Sequence, residues 1–123
     1  MSQPAAFQSQ DFPFDKLFAG HLPPLSKGIT LLAGQTLTRG AVLGKITASG
    51  KYTLSAAAAG DGSEVPDAIL AEDCDATAGD RAAVAYTRGD FNEAALTFGA
   101  GHTAASTREG LRDKGLYLVT LQA

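Results

Sequence analysis

The feature that most restricts the fold is the size of the apolar segments and what separates them. From Ile29 onward they are short: "ITLL" at 29–32, "AVLGKIT" at 41–47, "KYTLS" at 51–55, "AIL" at 68–70, "AAVAYT" at 82–87 and "LYLVTL" at 116–121. Clusters rich in Gly, Asp and Ser lie between them, which is the pattern of a compact β domain with frequent turns. Ten of the 14 glycines fall between positions 34 and 101, where such turns are needed. "ASGKY" at 48–52 reads as a tight hairpin connection. One helix is expected after Ser106. Ser106 and Glu109 have capping-box spacing, Arg112 and Lys114 suit a helix C-terminus, and Gly115 can supply a left-handed stop. The fold class is therefore mainly β, with one or two short helices.

Residues 1–28 differ from the rest. They hold prolines 4, 13, 23 and 24 and the phenylalanines Phe7, Phe12, Phe14 and Phe18, with no sustained period of 2. We read 1–28 as an extended arm and 29–123 as a single β-rich domain. The core has only Phe91 and Phe98 of its own. Exposed rings on an irregular terminus are costly in water; they fold back on the domain, belong to a frayed end, or dock on a partner, and docking is the expectation.

Several motifs suggest chemistry and then fail on spacing. In "RGAVLGKIT" at 39–47, Gly40 and Gly44 have three residues between them where a phosphate-binding loop has four, and Ile46 follows Lys45 where a hydroxyl must reach magnesium. The stretch reads as a glycine-bounded strand, with Gly44 allowing a bulge or the close approach of another backbone. "DCDATAGD" at 73–80 would need Gly where Ala78 stands and Glu where Val84 stands to bind calcium as an EF-hand. It reads as a solvated acidic loop. The "RGD" at 88–90 lies in "TRGDFN", which reads as a turn made by Gly89 and Asn92.

Catalysis finds no assembled parts. His21 lies in the arm and His102 in a Thr/Ser-rich loop, and Cys74 is the single cysteine, so a disulfide or a cysteine-rich metal site is not to be built from this chain. No cofactor is expected. With 13 acidic against 10 basic residues and no basic stripe, nucleic acid is a poor partner. The beginning of the chain has no basic and apolar leader, and no apolar run is long enough for a bilayer, so no membrane partner is expected.

An ordered series of segments carries a resemblance: "LFAG" at 17–20, "GQTLTRGAVLGKIT" at 34–47, "SGKY" at 49–52, "DGSEVPDAIL" at 61–70, "GDFN" at 89–92 and "LRDKGLYLV" at 111–119. From about Phe14 to Val119 the chain resembles the bacteriophage lambda head decoration protein family. The resemblance implies a β-clip-like domain, a homotrimer, and a place on the outer surface of the expanded head, at three-fold and quasi-three-fold points of the major capsid protein. It also implies synthesis in the host bacterial cytoplasm, no catalytic residues, and structural roles for Gly40, Gly44, Gly62 and Gly89. Two other classes stay in view: a trimeric nucleotide hydrolase of the dUTPase kind, whose strand-borne Asp and Gly-rich loop are not found, and a host-adhesion module using the "RGD".

Overall fold

The computed structural model describes Leu17 and residues 24–120. Phe7, Phe12, Phe14, Phe18 and His21 lie outside the described residues. The eight strands are β1 (Leu25–Leu31), β2 (Thr36–Leu37), β3 (Val42–Lys45), β4 (Tyr52–Leu54), β5 (Pro66–Leu70), β6 (Cys74–Asp75), β7 (Arg81–Asn92) and β8 (Leu116–Val119). A 3₁₀ turn at Glu93–Ala95 and one helix, α1 (Ala104–Asp113), complete the order among the described residues. All six apolar segments of the sequence contain a strand, as the mainly β reading expects.

The strands run β1-β4-β3-β5-β7, and β7 pairs back onto β1, so the sheet closes into a small barrel. β8 adds to the second half of β7 in parallel, from Gly89 opposite Leu116 to Asn92 opposite Val119. A separate two-stranded ribbon joins β2 to β6. Alternation along the strands divides the core in two. In β5, Ala68 and Leu70 face a cluster with Ile29, Leu31, Leu43 and Tyr52, drawn from the strands of the closed sheet. Ile69, between them, faces the other way and joins Val42, Phe91, Leu111, Leu116 and Leu118 under α1 and β8. Burial on both faces explains why "AIL" is a continuous apolar run rather than an alternating one.

Gly44 does both things expected of it. The β3–β5 register shifts between Leu43 and Gly44, which marks a bulge. A Cβ at Gly44 would also overlap the Ser63 carbonyl oxygen, so another backbone passes where a side chain would be. The β3–β4 hairpin forms through residues 46–51, closed by Ile46 N–H donating to the Lys51 carbonyl at 2.8 Å.

Two local expectations change. Helix α1 begins one turn earlier than the sequence spacing suggests: Thr103 is the N-cap, and Ser106 is the third helical residue that completes the box. The Thr103 hydroxyl accepts from Ser106 N–H at 3.1 Å while the Ser106 hydroxyl accepts from Thr103 N–H at 2.9 Å, so a serine does the work usually given to Glu or Gln. Gly115 is the left-handed stop, at φ 92°. The second change is at "TRGDFN", which is continuous strand rather than a turn. Gly89, at φ 149°, sits where β7 passes from its pairing with β1 to its pairing with β8. Asn92 does bond nearby backbone, its side chain accepting from Ala94 N–H at 3.1 Å to cap the 3₁₀ turn.

Candidate functional site

The motifs that hinted at chemistry become scaffold. Gly40, at φ 99°, would bring a Cβ to 2.6 Å from the Ala95 carbonyl oxygen, so it permits the close packing that leads into β3. Gly62, at φ 103°, has no room for a Cβ beside the Thr47 hydroxyl. No phosphate cradle is formed by the Gly40–Gly44 stretch, because Val42 and Leu43 are buried within a strand. In the acidic loop, Asp75 accepts from Thr77 and Thr36, and these bonds hold its carboxyl below the usual carboxylate range. Asp73 accepts from Arg39 N–H at 2.8 Å and Asp80 from Ala33 N–H at 2.8 Å. These carboxylates tie loops together; no group of three metal-ligating side chains occurs among the described residues. Cys74 is buried in the barrel cluster. His102 is half-buried, with its Nε2 2.9 Å from the Glu64 carbonyl oxygen. The three chemical groups that catalysis would need to bring together are thus spent on separate structural tasks.

The best-built polar site is a network that sequence reasoning missed. Tyr52, from β4, donates to Asp67 of β5 at 2.9 Å, and Lys114, capping α1, donates to the other oxygen of Asp67 at 3.0 Å. Lys27, from β1, lies over the Tyr52 ring, 5.5 Å from its centroid. Burial works to raise the Asp67 carboxyl, but the bonds from Lys114 and Tyr52 outweigh it and hold the group below its ordinary value. Burial pushes the Tyr52 phenol up, against the pull of Lys27, so the phenol remains a donor. Four elements distant in sequence meet here, and no local spacing announces it.

The sign of the acid response follows from Asp67. A carboxyl whose folded pKa is depressed adds stability above its unfolded value, near ~3.9, and loses it as pH falls through the folded value. Asp67→Asn should therefore lower Tm at pH 7, and the gap from the unsubstituted protein should close as the pH falls below the unfolded value and through the depressed folded one. Thermal melts across that range check it; a gap that stays constant would show that charge on Asp67 is not what matters.

One described residue before β1 lies in the domain's core. Leu17 is 3% exposed, packs in the cluster with Phe91 and Leu116, and its carbonyl accepts from Asn92 N–H at 2.7 Å. Part of the segment read as an arm is thus held by its own domain.

A family model for the bacteriophage lambda head decoration protein D matches residues 9–115. The chain belongs to that family. The match spans the whole closed sheet and most of the segment before β1, so the domain just described is the head decoration fold. No curated protein matches the chain. A head decoration protein is a structural component of the phage capsid, not a member of an enzyme class, and this accounts for a domain whose polar side chains are used to fasten loops. The "RGD" sits within β7 beside β8, where Arg88 and Asp90 are presented by a strand and not by the apex of a loop.

Proposed function

We propose that this head decoration protein binds as a trimer to the outer surface of the expanded phage head, at three-fold and quasi-three-fold points, and clamps neighbouring major capsid protein subunits. The family match over residues 9–115 carries this reading. Its working parts are Phe7, Phe12, Phe14 and Phe18, whose apolar surface is buried on the shell. The anchoring of Leu17 supports a division of labour in which Leu17 is held by the domain and the phenylalanines on either side of it reach the neighbour.

A trimer makes weak arms effective. Ordering an extended segment costs conformational entropy, so one arm gains little on its own. Once one arm is docked, the other two bind at high effective concentration, and the loss of overall rotation and translation is suffered once. Three arms on separate subunits cross-link them. Because the arrangement of docking points exists only in the expanded shell, binding stabilises that state by linkage.

Two measurements on the full chain test it. Sedimentation equilibrium should give the mass of three copies. Expanded heads carrying the protein should release their DNA at a higher temperature than bare heads. A monomer, or heads that release DNA at the same temperature with and without it, would contradict the clamp.

A further inference from the structure

The connection from β4 to β5 contains a chemically labile step. Asp61–Gly62 is the only Asp-Gly or Asn-Gly pair in the sequence. In such a pair the glycine nitrogen can attack the aspartyl carboxyl carbon, since no Cβ shields it. A C–N bond then closes a five-membered succinimide, and the amide proton leaves with the carboxyl hydroxyl as water. Water reopens the ring at either carbonyl. Opening at the α-carbonyl gives isoaspartate, whose main chain runs through the side-chain methylene at unchanged mass.

Here both reacting groups are engaged elsewhere. The nucleophile, Gly62 N–H, donates to Glu64 Oε1 at 2.8 Å. Asp61 Oδ1 accepts from Ser63 N–H at 3.0 Å and from the Ser63 hydroxyl. These bonds hold the Asp61 carboxyl below its usual range, in the anionic form that has no hydroxyl to lose. The backbone around the pair is fixed as well. The Asp61 carbonyl accepts from Thr47 N–H at 2.9 Å, and Gly62, at φ 103°, packs where the Thr47 hydroxyl leaves no room for a Cβ. The Ser63 carbonyl accepts from the buried Ser55 hydroxyl at 2.7 Å. An attack that must free the carboxyl from Ser63 and the amide from Glu64 proceeds only from a locally opened turn.

We propose that Asp61 is the chain's site of aspartyl isomerisation and that Ser63 and Glu64 keep that site closed while the domain is folded. The cost of losing this protection is local and structural. Isomerisation turns the Asp61 carbonyl, which holds Thr47, into a free carboxylate, and adds a methylene next to the residues that pack against Gly44. A capsid component is not renewed once a particle has left its host, so this turn governs how long the domain keeps its native form.

The test incubates the full-length protein for weeks at neutral pH. An endoprotease that cuts before aspartate but not before isoaspartate reads the conversion as a peptide of unchanged mass left uncut between Gly60 and Asp61. The folded protein should convert at least about tenfold more slowly than the same chain kept unfolded in guanidinium. Glu64→Ala, with Tm nearly unchanged, should convert faster than the unsubstituted protein, and Glu64→Gln, whose amide oxygen still accepts from Gly62, should fall between them. Ser63→Ala should also convert faster; if it does not fold, the two Glu64 variants decide. Equal rates in the folded and unfolded chains would overturn the proposal, as would folded variants no faster than the unsubstituted protein. Slower conversion in Glu64→Ala would make Glu64 a base that helps the amide react, and would overturn it too.

Discussion

Gly44→Ala should destabilise the domain by about 3 kcal/mol and lower its Tm by roughly 12 °C or more. A methyl group at this position would overlap the Ser63 carbonyl oxygen. That carbonyl is not free to move, because it accepts from the buried Ser55 hydroxyl at 2.7 Å. Gly44 also sits at the bulge between β3 and β5, so displacing residue 63 disturbs the centre of the closed sheet. The comparison is Gly110→Ala, in α1, where the added methyl meets nothing within 4 Å. That change should raise stability by about 0.5–1 kcal/mol through helix propensity. Thermal melts of the two variants decide the matter: equal effects would show that glycine at 44 answers no steric demand.

Removing residues 1–15 should leave the Tm nearly unchanged and abolish binding to expanded heads. The cut is placed before Leu17 because that side chain is in the core and its carbonyl ties the chain to Asn92. A longer deletion would confuse loss of the arm with loss of packing, since emptying a buried leucine site costs about 2–5 kcal/mol. Melting curves and co-sedimentation with heads, run on the same sample, separate the two. Full binding by the shortened chain would mean that Phe7, Phe12 and Phe14 do not hold the shell. A collapse of Tm would place those rings in the domain's own core.

What could be read from the sequence followed the length of each signal. The six apolar segments each carry a strand because three to seven residues of alternating or continuous apolar character suffice to mark one. β2 and β6, at two residues each, are too short to show a period. β7 is twelve residues long, and Gly89 inside it looks like a turn because glycine at positive φ serves turns and strand crossings equally. The helix was legible but its cap was displaced, since Thr103 and Ser106 form a box without an acidic residue. The site was less legible than the fold. Lys27, Tyr52, Asp67 and Lys114 come together only through sheet closure and the placement of α1, so nothing in their spacing marks them. The burial of Leu17 was hidden by its proline- and phenylalanine-rich surroundings.

The most direct measurement is co-sedimentation of the full-length protein with heads of its own phage before and after shell expansion. Protein should pellet with the expanded heads, saturate at a whole number of trimers per three-fold position, and stay in the supernatant with unexpanded ones. Protein that remains in the supernatant with both, or that pellets equally with both, would contradict a clamp specific to the expanded shell.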